Sequence, residues 1–142
     1  MNKRRLALVF CVSFSAVLAI TKYVMAATSA ITFPTPAGMA HHAGNPCYDQ
    51  ASCYWMVYTG TGHTSYKIKT EWQCYYGGWH QVETVIVGPA QTEEGSMDAT
   101  TDLNHTCANT NLTIPMRVNV QWSDDGVNWT NETSSTSTAT HP

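Results

Sequence analysis

The stretch Tyr66-Lys67-Ile68-Lys69-Thr70-Glu71-Trp72-Gln73-Cys74-Tyr75-Tyr76 decides the fold class. Tyr66, Ile68, Thr70, Trp72, Cys74 and Tyr76 share one face of an extended chain; Lys67, Lys69, Glu71, Gln73 and Tyr75 share the other. A period of two held over eleven residues is that of a half-buried β-strand, and helical spacing fits it badly. A second stretch repeats the pattern. Leu112, Ile114, Met116, Val118, Val120 and Trp122 oppose Thr113, Pro115, Arg117, Asn119 and Gln121. Pro115 has no amide to give a ladder, which places the start of this strand at an edge or a bulge.

Working outward from these two stretches, the remaining segments read as shorter strands and turns. Cys53 to Thr59 is dense in aromatic and β-branched residues, and Gly60-Thr61-Gly62 marks a turn after it. Gly77-Gly78 suits a two-residue hairpin turn with positive φ. The resulting register sets Tyr76 against Trp79, Cys74 against Gln81, Trp72 against Glu83 and Thr70 against Val85. It puts Gln81 and Glu83 on the aromatic face, so a bulge corrects the register or that end of the face is wet. Ala30 to Phe33 reads as a short edge strand stopped by Pro34 and Pro36. Gly88-Pro89 ends the strand from Trp79. Residues 89–110 carry no strong pattern, and a short strand near Cys107 is expected there. From Thr130 the composition collapses to Thr, Ser, Asn and Glu, so 131–142 reads as a disordered tail.

The chain has 142 residues, a length for one domain. Its start, Met1 to Ala26, has the layout of a secretory signal: Lys3, Arg4 and Arg5, an apolar run from Leu6 to Ile20, then Val24-Met25-Ala26. Removal near Ala26 or Ala27 is expected, and the protein is placed in the periplasm or outside the cell. Residues 27–130 then form the domain. Four basic residues leave with the signal, and Lys67, Lys69 and Arg117 remain against ten carboxylates, a net charge of −7. That balance argues against nucleic acid and against anionic membrane surfaces as partners.

Cys11 also leaves with the signal. Cys47, Cys53, Cys74 and Cys107 are an even set in a small exported chain, which reads as two disulfides. Their wide spacing lacks the close pairs of a zinc site. If Thr59 and Ser65 flank a hairpin turn, Cys53 falls opposite Glu71, off the alternation that carries Cys74. The expected pairing is therefore Cys47–Cys53 and Cys74–Cys107. Together these readings give an all-β chain, a small antiparallel β-sandwich of the immunoglobulin/fibronectin-like kind stapled by two disulfides. Its inner faces would be supplied by Tyr66, Ile68, Trp72, Val85, Met116, Val118, Val120 and Trp122.

Val120-Gln121-Trp122-Ser123-Asp124-Asp125-Gly126-Val127-Asn128-Trp129-Thr130 resembles the closing hairpin of discoidin-like and fibronectin-like sandwich domains. It is also similar to the Asp-box of sialidases, but is one residue short between aspartate and glycine. The resemblance covers eleven residues and implies a turn, with aspartates bonding local backbone and glycine left-handed. It supports the fold and carries no activity.

For function, the aromatic cluster is the leading feature: Tyr54, Trp55, Tyr58, Tyr66, Trp72, Tyr75, Tyr76 and Trp79. Exposed rings with polar tips suit sugars and protein surfaces, and Trp55, Tyr75 and Trp79 are the candidates for exposure. Glu93, Glu94, Asp98 and Asp102 fall in a segment that reads as a loop, whose oxygens make it a weak calcium candidate. The one close histidine pair, His41-His42, diverges on an extended chain and makes a poor chelate, so no transition-metal site and no cofactor are expected. No catalytic motif is present, and Glu71 and Glu83 fall on opposite faces. Asn104, Asn111, Asn128 and Asn131 begin glycosylation sequons, which points to exposed positions. The expectation is a secreted, non-catalytic module that binds an extracellular glycan or protein. The alternative is a small extracellular toxin, inhibitor or hydrolase.

Overall fold

The computed structural model describes residues 26–44, 48–73, 78–100 and 113–141. Residues 1–25, where an export signal is expected, and Cys47, Cys74, Tyr75, Tyr76, Gly77, Asp102, Asn104, His105, Asn111 and the strand expected near Cys107 lie outside the described residues. The described chain forms seven strands: β1 (Ala30–His42), β2 (Tyr48–Tyr58), β3 (Ser65–Gln73), β4 (Trp79–Val87), β5 (Thr92–Thr100), β6 (Thr113–Ser123) and β7 (Thr130–Thr140). They make two antiparallel sheets, ordered β1-β2-β5 and β4-β3-β6-β7.

The two alternating stretches are β3 and β6, adjacent in the four-stranded sheet. Ile68 pairs with Val120 and Thr70 with Val118, so the apolar halves of both strands share one face. That face meets Ala51, Cys53, Trp55 and Val57 of β2 and Met97 and Ala99 of β5, and the core lies between the sheets. Trp72 and Trp122 are half-buried against its edge. Val85 is half-buried and lies outside the core cluster, where Val87 takes the place expected for it.

Several expectations about the strands are corrected. First, β2 and β3 are not a hairpin: β2 pairs with β1 and β5, and β3 with β4 and β6. The chain crosses between the sheets at Thr59–Thr64. Thr59 seals the crossing, its amide donating to the Gln91 carbonyl (2.8 Å) and its hydroxyl to the Gly88 carbonyl (2.9 Å). Second, Trp72 pairs with His80 and Thr70 with Glu83, not with Glu83 and Val85. Gln73 pairs with Trp79, so Trp79 is not the partner of Tyr76, and a bulge between Thr70 and Glu71 adjusts the register.

Third, Pro34 and Pro36 do not stop β1. Two register shifts fall on them, and β1 is an edge strand, where a missing amide forfeits no ladder partner. Fourth, most of the expected tail is β7. It pairs with β6 along its length, with Thr133, Ser135, Ser137 and Ala139 turned inward opposite Val120, Val118, Met116 and Ile114. Its order comes from the neighbouring strand and not from its own hydrophobicity. Two hydrogen bonds from Ser29 and β1 reinforce it: Ser29 Oγ donates to Glu132 Oε2 (2.5 Å), and the Ala37 amide to Ser137 Oγ (2.8 Å).

The disulfide expected between Cys47 and Cys53 is not present. Cys53 is a free, buried thiol. Tyr48, the neighbour of Cys47, lies five positions from Cys53 on the same strand, roughly 17 Å along it, and bridged Cα atoms must lie within about 7 Å.

Candidate functional site

The outer face of the four-stranded sheet gathers the polar half of the two alternating strands. β3 turns Lys67, Lys69 and Glu71 outward, and β6 turns Arg117, Asn119 and Gln121 outward beside them. The register sets Glu71 against Arg117, Lys69 against Asn119 and Lys67 against Gln121, and Gln121 against Asn131 of β7. Lys69, Glu71, Arg117, Asn119, Gln121 and Asn131 line a shallow depression of about 240 Å³.

Glu71 Oε2 is the centre of this surface. It accepts from Arg117 Nη2 (2.6 Å), Arg117 Nε (3.1 Å) and Asn119 Nδ2 (2.6 Å). Such charge-assisted bonds fix the side chains in place and leave hydrogen-bonding groups pre-oriented toward solvent. Gln121 Nε2 donates to Asn131 Oδ1 (2.6 Å) on the next strand.

An aromatic ring stands at each end. The Arg117 guanidinium lies 3.7 Å from the centre of the Trp79 ring, and Lys67 Nζ lies 3.9 Å from the centre of the Trp129 ring. Both are cation–π distances. Desolvation, and then repulsion from Lys69, lower the Lys67 ammonium below its ordinary value. The three cations downstream of residue 26 all lie here, with Glu71 the one carboxylate among the described residues lining the depression, so an acidic chain carries a locally basic patch.

The expected binding residues are only partly brought to this face. Trp79 is on it, half-buried under Arg117. Trp55 is not: it is 2% exposed in the core, because β2 turns its odd-numbered residues inward. Tyr75 lies outside the described residues. Trp129, which sequence reasoning passed over as turn chemistry, belongs to the surface. Its signal is its place directly before Thr130, where β7 begins.

The acidic segment is also rearranged. Glu93, Glu94 and Asp98 lie in β5, paired with Val57, Met56 and Ser52 of β2, and not in a loop. Consecutive strand residues point to opposite faces, so Glu93 and Glu94 diverge and the premise of a calcium loop is lost. Glu71 and Glu83 lie on opposite sides of their sheet, as expected.

A second cluster was not anticipated. β1 and β2 pair so that His41 faces Asp49, and His41 Nδ1 lies 2.8 Å from Asp49 Oδ1. His141, just past β7, brings Nε2 to 3.6 Å from the same oxygen. The His41 and His141 rings are 5.1 Å apart, and Asp49 is wholly buried. His42 points away from this group and stacks on Tyr48 at 4.5 Å. Of the other described histidines, His63 stacks on Trp122 at 3.6 Å and His80 on Trp72 at 4.8 Å.

No family model matches the chain, and comparison with curated proteins and with solved structures finds no match.

Proposed function

We propose that the protein is a secreted, non-catalytic binding module whose ligand is an extracellular glycan, held on the outer face of the four-stranded sheet. The observation that carries this reading is the depression around Glu71. Six polar side chains converge there between two cation-capped indole rings. Sugars offer hydroxyl pairs to planar amides, carboxylates and guanidinium groups, and C–H faces to aromatic rings. From the Lys67 row to the Glu71 row the platform runs four residues, roughly 13 Å, room for a short oligosaccharide.

The strand order β1-β2-β5 against β4-β3-β6-β7 supports an immunoglobulin/fibronectin-like sandwich. Export belongs to the same reading. The basic start and apolar run direct secretion, and cleavage leaves a chain beginning at or near Ala27. Any disulfide in that chain is drawn from Cys47, Cys74 and Cys107, since Cys53 is a free thiol.

Glycan-array screening followed by calorimetry tests the proposal. Binding of one oligosaccharide class is expected, weakened at least tenfold by Asn119→Ala and by Trp79→Ala in protein that melts as the parent does. No saccharide binding, or binding indifferent to both substitutions, overturns it. A second reading, a small extracellular hydrolase, rests on the His41–Asp49–His141 group. Turnover of a glycoside or peptide bond that His41→Gln abolishes would put that reading first.

A further inference from the structure

We infer that His41, Asp49 and His141 form a binding site for a divalent transition-metal ion of the zinc class. One ligand atom from each residue lies within 4.8 Å of the other two. In a tetrahedral zinc site with bonds of about 2.0–2.1 Å, neighbouring ligand atoms stand about 3.3 Å apart. The separations to Asp49 Oδ1, 2.8 Å from His41 Nδ1 and 3.6 Å from His141 Nε2, bracket that value. Small side-chain rotations therefore admit an ion without moving a strand.

The donor set selects the metal. Two imidazoles and one carboxylate suit zinc, copper(II), nickel or iron(II), whereas calcium and magnesium want oxygen ligands throughout. Three protein ligands leave a fourth position open. Burial adds to the argument. Asp49 is 0% exposed, and a carboxylate removed from water gains more from a divalent cation than one at the surface does. The site is also independent of the glycan surface, which is built on the outward side chains of β3 and β6.

Position in the fold gives the ion a consequence. His41 and Asp49 belong to the three-stranded sheet, and His141 follows the last strand of the four-stranded one. An ion held by all three clips the two sheets together and joins the first strand to the end of the last. It binds the folded state alone, because residues 41 and 141 meet only there, and so raises stability by mass action.

The test uses the full chain as purified, stripped with chelator and titrated with zinc and with cobalt(II). One equivalent of ion is expected to bind. Saturating zinc is expected to raise the melting temperature by about 5–10 °C. Cobalt is expected to give visible bands of a nitrogen/oxygen site, without the near-ultraviolet band of a thiolate ligand. His141→Gln, at the end of the fold, and His41→Gln are each expected to weaken zinc at least tenfold. Absence of stoichiometric binding, a thiolate band, or affinity unchanged in both variants overturns the inference. The cobalt spectrum of the unsubstituted chain decides the matter even if a variant fails to fold.

Discussion

Gly95 sits opposite Trp55 in the three-stranded sheet, and its missing side chain makes room for the indole. A Cβ at position 95 would lie 2.8 Å from Trp55 Cζ2 and 3.1 Å from Cε2. Trp55 is the largest fully buried side chain, so the collision has no cheap outlet. Gly95→Ala is expected to destabilise the fold by about 1–3 kcal/mol, the usual cost of overpacking a core. Urea unfolding followed by tryptophan fluorescence measures it; an unchanged midpoint would show that the ring has room to shift.

The Glu71–Arg117 pair is partly buried, with side-chain exposures of 16% and 28%. Arg117→Ala leaves the carboxylate with Asn119 and strips the cation from Trp79. The expected loss is about 1–2 kcal/mol, above a surface ion pair but below a fully buried one. A double-mutant cycle with Glu71→Gln is expected to give a coupling of about 0.5–1.5 kcal/mol. Strict additivity would mean that the two side chains act independently.

Asp125 organises the turn between β6 and β7. Its Oδ1 accepts from the amides of Asn128 and Val127, both at 2.8 Å, and its Oδ2 from Asn128 Nδ2 at 2.6 Å. Those bonds, the Asn128 amide first, hold its carboxyl well below the usual carboxylate range. A depressed folded-state pKa contributes stability that is present above the unfolded value, near 4, and lost as pH falls toward the folded one. Thermal melts at pH 7 and pH 3 are expected to differ less in Asp125→Asn than in the parent. Equal acid sensitivity in both would move the effect to other carboxylates.

Burial, and then the nearby Asp98, push the Cys53 thiol up to about 11. The thiolate is the reactive form, so native protein at pH 8 is expected to leave Cys53 unalkylated by iodoacetamide. After unfolding without reductant, peptide mapping should find it fully alkylated. A Cys53-containing disulfide peptide in that map would contradict the free thiol.

Sequence by itself determined the parts whose physics is local. Alternation placed Tyr66, Ile68, Met116, Val118 and Val120 inside and Lys67, Lys69, Arg117 and Asn119 outside, because side-chain direction depends only on position along a strand. The turn at Asp125-Gly126 was legible for the same reason: its hydrogen bonds span three residues, and Gly126 takes a φ of 72°.

Tertiary structure alone decided which strands are neighbours. A period of two names a face and not a partner, so β2 and β3 read as a hairpin although each lies in a different sheet. The Ser/Thr-rich β7 has no hydrophobic signal of its own, and its order depends on β6 beside it. Trp55 and Trp79 look alike in sequence; whether a ring is buried depends on whether another sheet covers its face, and only Trp55 is covered. The same holds for His41, Asp49 and His141: Asp49 and His141 are ninety-two positions apart, and no local energy term relates them. They meet because the first hairpin and the last strand close the same edge of the core.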